Sequence, residues 1–115
     1  MASYANISAD QGADFQTSLE LEDSNSDRLD LSEYSIYGQI RRTYKSATAE
    51  NFQITISDAL NGVILIELTS AQTAAMKSGR YIYDIYATDE TLNKTVKLLE
   101  GIFEIIPSVT KDIGS

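Results

Sequence analysis

The chain has 115 residues, enough for one hydrophobic core and not for two. Nine Lys and Arg stand against 17 Asp and Glu, and the resulting net charge of −8 disfavours polyanionic partners such as nucleic acid and anionic membrane surfaces. With no Cys and no His there is no disulfide framework, no thiolate metal site, and no side chain that titrates near neutrality without help. Nucleophilic triads of the Ser–His–Asp or Cys–His kind are therefore excluded, and a Lys or carboxylate base in their place would need a desolvated pocket.

The segment Met1-Ala-Ser-Tyr-Ala-Asn6 lacks the basic region and apolar stretch of a signal peptide, and no apolar run reaches the roughly 20 residues of a membrane span. Asn6-Ile-Ser8 is at best a weak first strand, followed by a polar turn over Ala9–Asp14. From Phe15 to Leu21, Phe15, Thr17, Leu19 and Leu21 alternate with Gln16, Ser18 and Glu20, which predicts a strand with one dry face. Glu22–Asp27 is a turn cluster, and Leu29 and Leu31 then drop onto the core before Tyr34.

The next strand turns Ile36, Gly38 and Ile40 inward and Tyr37, Gln39 and Arg41 outward. Residues Lys45–Asn51 read as a loop, and Phe52, Ile54 and Ile56 as another alternating strand. Asn61-Gly62 predicts a tight hairpin turn, because both central residues of such a turn need positive φ. Val63–Leu68 is apolar enough to be covered on both faces or to lie in an interface. Ile64 and Ile66 are accordingly candidate interface residues.

A short helical turn over residues 70–77, with Ser70 as its N-cap and Gly79 closing it, leads into Gly79-Arg-Tyr-Ile-Tyr-Asp-Ile-Tyr-Ala87. That strand places Tyr81, Tyr83, Ile85 and Ala87 on one face and Arg80, Ile82, Asp84 and Tyr86 on the other. Thr88–Asn93 is an exposed turn. The last strand runs Lys94–Ile106, with a bulge expected at Gly101. Short alternating strands with a single helical turn indicate an all-β immunoglobulin-like β-sandwich of about seven strands over residues 5–107, with a flexible tail at 108–115. Gly79, Tyr81 and Tyr83 fall at the positions of a tyrosine corner, Tyr83 standing where antibody domains carry Cys.

Few residues suggest chemistry. Asp23-x-Asn25-x-Asp27 opens like a calcium loop, but Arg28 stands where the loop needs Gly and Tyr34 where it needs a bidentate Glu. The glycines are isolated, and none opens a long helix that could hold phosphate. A hydrolase working with carboxylates alone would need a buried acid pair. Tyr37 and Tyr86, on outward faces, are the remaining candidates for a binding surface.

The runs Asp10-Gln-Gly-Ala-Asp-Phe15, Leu29-Asp-Leu-Ser-Glu-Tyr34 and Gln39-Ile-Arg-Arg-Thr-Tyr44 resemble a small immunoglobulin-like domain of tailed-phage virion proteins, of the cyanophage and T4-like myovirus type. So do Leu68-Thr-Ser-Ala-Gln-Thr-Ala-Ala75, Gly79-Arg-Tyr-Ile-Tyr-Asp84 and Leu98-Leu-Glu-Gly101. The resemblance spans roughly residues 5–110 and implies a non-enzymatic virion structural protein without cofactor or metal. Such a protein is assembled in the host cytoplasm and docks in many symmetric copies on a capsid, neck or tail/baseplate protein, and on copies of itself. The alternative is a host-surface or glycan-binding module in which Tyr37, Tyr86 and loop acids form a shallow site, with calcium as an optional ligand.

Overall fold

The tyrosine-rich segment forms a strand paired along both of its edges. A computed structural model describes residues 3–22 and 29–110, so Asp23, Asn25 and Asp27 of the calcium-like motif lie outside the described residues, as do residues 111–115 of the tail. In chain order the described strands are β1 (Ser3–Tyr4), β2 (Ile7–Asp10), β3 (Phe15–Glu20), β4 (Tyr34–Arg41), β5 (Glu50–Asn51), β6 (Gln53–Asp58), β7 (Val63–Leu68), β8 (Gly79–Asp89) and β9 (Lys94–Ile106). A 3-10 turn (Ala59–Asn61) and one helix, α1 (Ser70–Ala75), complete them.

One sheet has the order β1-β9-β8-β4-β5, with β2 also on β9, and the other has the order β3-β7-β6. Every pairing is antiparallel except those of β1 and β2, which run parallel to β9. The fold is an all-β, immunoglobulin-like sandwich, its facing sheets having the strand orders B-E-D and C-F-G of that architecture. β1 and β2 are one strand interrupted at Ala5-Asn6, since Ser3 pairs with Leu99 and Ile7 with Phe103 in unbroken register. Among the described residues, pairing extends back to Ser3.

The core lies between the sheets. Phe103 is its hub, fully buried and edge-on to Phe15 (5.3 Å), Phe52 (5.7 Å) and Tyr83 (6.4 Å between ring centroids). Ile40, Ile64, Ile66, Leu68, Ile85 and Ile105 surround it, and Leu31, just ahead of β4, joins them. A sandwich without a disulfide is held across its centre by these rings. The Tyr83 hydroxyl adds a tie, donating to the Ala5 carbonyl at 2.6 Å. Tyr81 donates to the Lys77 carbonyl at 2.7 Å, the hydrogen bond that defines a tyrosine corner.

Several local expectations are corrected. The β6–β7 turn is not a two-residue hairpin at Asn61-Gly62. The 3-10 turn runs to Gly62, the only residue of the pair with positive φ (69°), and Ser57 is an extra residue on β6. The longer turn aims its carbonyls at the preceding segment: Leu21 N–H donates to Gly62 O and Leu31 N–H to Ala59 O. A Cβ on Gly62 would stand 2.6 Å from the Leu21 and Leu29 carbonyls.

The helix is capped by Thr69, not Ser70, in a reciprocal capping box with Gln72. It ends at Met76, so Gly79 (φ 126°) opens β8 and does not close the helix. Residues Glu50–Asn51, expected within a loop, pair with β4 as β5. The bulge in β9 is at Leu98, because Ile85 pairs with Leu99 while the next residue, Tyr86, pairs with Lys97. Gly101 serves another purpose: a Cβ there would lie 1.9 Å from the Ala5 carbonyl oxygen.

Candidate docking surface

The larger sheet turns its outer face to solvent, and strand register decides which side chains meet there. β4 and β8 place Tyr37 opposite Tyr86, Gln39 opposite Asp84 and Arg41 opposite Ile82. β8 and β9 place Asp84 opposite Glu100, Tyr86 opposite Lys97 and Ile82 opposite Ile102. Tyr4 of β1 pairs with Glu100, and Asn51 of β5 with Gln39. A single transverse row, Asn51–Gln39–Asp84–Glu100–Tyr4, therefore crosses the sheet, with a Tyr37–Tyr86–Lys97 row beside it.

Tyr4, Tyr37, Tyr44 and Tyr86 line an open concavity of about 420 Å³ whose floor carries Asp84 and Glu100 and also Gln39, Arg41 and the apolar Ile82 and Ile102. Tyr37 is 56% and Tyr44 82% exposed, a large aromatic area for a solvent-facing sheet. The two tyrosines expected on outward faces are thus cross-strand neighbours. Ile64 and Ile66, the other two candidate interface residues, have no surface at all. β7 is the middle strand of its sheet, so both isoleucines point into the core and cannot meet a partner. Tyr4 and Tyr44 were not singled out from sequence, because neither lies in a long alternating run.

The polar groups form a chain of contacts. Gln39 Nε2 donates to Asn51 Oδ1 (2.8 Å), Arg41 donates to Gln39 Oε1 (3.1 Å) and to the Ser46 carbonyl (2.7 Å), and Lys97 meets Glu100 at 3.4 Å while lying 5.8 Å from the centroid of the Tyr86 ring. Burial pushes the Asp84 carboxyl above its ordinary value; Lys97 and Arg41 oppose this shift and Glu100 adds to it. Desolvation pulls the Lys97 ammonium down, but Glu100, Tyr86 and Asp84 outweigh it and hold the group above its usual range.

Asp84 and Glu100 are neighbours on an open sheet face, each part-exposed, with Lys97 bonded to one of them. Among the described residues no group of three or more acids could hold a metal ion. A second cleft of about 500 Å³ lies between β2 and β3, lined by Ile7, Ala9, Phe15 and Leu19; among the described strands β2 pairs with β9 and β3 with β7.

No family model matches the chain, and no curated protein matches it. Among solved structures it is similar to Listeria monocytogenes InlP (9% identity, TM-score 0.44), covering 93% of this chain and 28% of that one. It is also similar to a family 123 glycoside hydrolase from Clostridium perfringens (18%, 0.42), covering 92% and 23%. A third is the NK cell receptor NKp44, described as a triggering partner in natural cytotoxicity (13%, 0.44), covering 94% and 99%. The chain spans about a quarter of the length of the first two.

Proposed function

We propose that the protein is a non-enzymatic structural component of a tailed-phage virion, docking through the outer face of its larger sheet on a capsid, neck or tail/baseplate protein in many symmetric copies. The observation that carries the docking role is that four tyrosines, Tyr4, Tyr37, Tyr44 and Tyr86, line one concavity on the outer sheet face beside Asp84 and Glu100. Aromatic side chains are the usual anchors of protein interfaces, because they bury large area at small entropic cost. The virion setting is supported by the resemblance of nearly the whole sequence to small immunoglobulin-like virion domains. Copies multiplied by particle symmetry turn one modest contact into lasting attachment. The chain should be found by mass spectrometry in purified particles of the phage that encodes it, and Tyr37→Ala with Tyr86→Ala should remove it from them. Particles without the chain would end this reading.

The concavity itself favours a second reading, a glycan-binding module, since tyrosine faces beside carboxylates and amides also suit sugar rings. Binding on a glycan array that is lost with Tyr37→Ala and Tyr86→Ala would favour it over the virion role.

A further inference from the structure

Opposed like charges on neighbouring strands destabilise a sheet, and Asp84 and Glu100 are such a pair at the middle of the outer face. The two nearby cations relieve it unequally. Lys97 reaches Glu100, whereas Arg41 spends its guanidinium on the Ser46 carbonyl and Gln39 Oε1. Among the described residues no side-chain hydrogen bond reaches the Asp84 carboxylate, which lies half-buried at the floor of the concavity.

The strongest unmet group of the floor is an acceptor. The Gln39 amide gives one proton to Asn51 and its oxygen accepts from Arg41, which leaves it a second N–H, and Arg41 keeps further N–H groups of its own. The carboxylate oxygens only accept, and among the described residues Asp84 is the one that no side-chain donor reaches. A neutral sugar hydroxyl can pair with either kind of group; a cation with several N–H donors adds an attraction to the Asp84 charge that a sugar lacks.

The geometry points to a guanidinium: we infer that the concavity receives an arginine side chain of the docked partner protein, stacked on Tyr37 and Tyr86 and donating to Asp84. The inference rests on the docking role proposed above and names its chemistry. A guanidinium is planar, stacks on aromatic faces and presents paired donors to a carboxylate, which an ammonium does not. The protein already uses this chemistry internally. The Arg42 guanidinium lies 4.8 Å from the Tyr81 ring centroid while donating to the Ser78 carbonyl, and Lys97 lies over Tyr86 while meeting Glu100. A net charge of −8 favours the approach of a basic partner surface.

The test is an NMR titration of the full chain with Nα-acetyl-arginine methylamide, its citrulline counterpart (neutral and nearly isosteric) and a methyl glucoside. The arginine probe should give saturable shifts at the Tyr37 and Tyr86 rings and the Asp84 amide, with Kd on the order of 1 mM for so small a ligand. Citrulline should bind at least about tenfold more weakly, and Asp84→Asn should weaken the arginine probe by about tenfold while keeping a dispersed amide spectrum. Citrulline or the glucoside equalling arginine, no saturable arginine shift, or an unchanged Kd in Asp84→Asn would overturn the inference. The particle assay separates it from the docking role. Loss of Tyr37→Ala from particles with full retention of Asp84→Asn leaves docking standing and removes the guanidinium site. Retention of both removes the docking face itself.

Discussion

Gly101→Ala should loosen the N-terminal strand from the sandwich. The added Cβ would lie 1.9 Å from the Ala5 carbonyl oxygen and 2.8 Å from its carbon, so the Ala5 peptide must retreat by roughly 1.5 Å to an ordinary contact. Three hydrogen bonds converge on that spot: Ala5 N–H to Glu100 O (3.0 Å), Tyr83 hydroxyl to Ala5 O (2.6 Å) and Ile102 N–H to Asn6 Oδ1 (3.2 Å). At about 1 kcal/mol each, their loss outweighs the roughly 0.5–1 kcal/mol by which Ala is otherwise favoured over Gly in a strand. The net cost is about 2–3 kcal/mol, a fall in Tm of roughly 10 °C for a chain this size. Urea unfolding gives the total, and amide exchange should show residues 3–10 losing protection while β7 and β8 keep theirs. Tyr83→Phe should cost less in the Gly101→Ala background than alone, because both act through the Ala5 carbonyl. A loss below about 0.5 kcal/mol with Ala5 still protected would refute the close-approach explanation.

Thr73→Val should cost about 1–3 kcal/mol in chemical denaturation, because the fully buried Thr73 hydroxyl donates to the Ala13 carbonyl (2.8 Å) and accepts from Gly12 N–H (3.1 Å), and both would be stranded; an unchanged midpoint would contradict this. Burial raises the folded-state pKa of Asp84 above 3.8, so folding binds its proton and stability falls as pH rises from 3.8 through the raised value, the penalty being complete above it. Asp84→Asn should therefore raise the urea midpoint at pH 7 and flatten that acidic limb, and a lower midpoint at pH 7 would reverse the sign. Burial first, and the Tyr4 charge second, push the Tyr83 phenol from 10.0 to about 12. The unfolded chain then loses this proton first, so stability declines between pH 10 and about 12, a limb that Tyr83→Phe should remove.

Much of the architecture was legible wherever one face of a strand is dry. The period-two runs at Phe15–Leu21, Ile36–Arg41 and Gly79–Ala87 became strands because each buries one set of side chains against the opposite sheet, and a one-residue slip would expose that set. The features that were missed depend on contacts between distant segments. Thr73 looks like any helix residue until the β2–β3 turn is laid against it. Gly101 suggests a bulge from one strand alone, yet its reason is a carbonyl 96 residues earlier in the chain. The Thr69–Gln72 box was visible as a Thr-x-x-Gln spacing, which a reading centred on Ser70 passed over. Ile64 and Ile66 show the converse: an apolar run does not say whether it is covered by its own fold or by a partner, and here the fold covers it.

The candidate site depends on the one irregularity in the β8–β9 ladder. Were the pairing of Ile85 with Leu99 continued without interruption, Tyr86 would meet Leu98, and Lys97 would fall opposite Ala87, which is completely buried. The residue that takes that place, Val96, is 46% exposed, so an ammonium there would be hydrated but would lie on the opposite face from Tyr86 and Glu100. The extra residue at Leu98 resets the alternation, so Lys97 emerges on the outer face beside Tyr86 and within reach of Glu100. Leu98 itself packs against the edge of the core. One inserted residue thus satisfies the core and the surface together. It places the Lys97 charge on Glu100, leaving Asp84 as the carboxylate of the pair without a hydrogen-bonding cation.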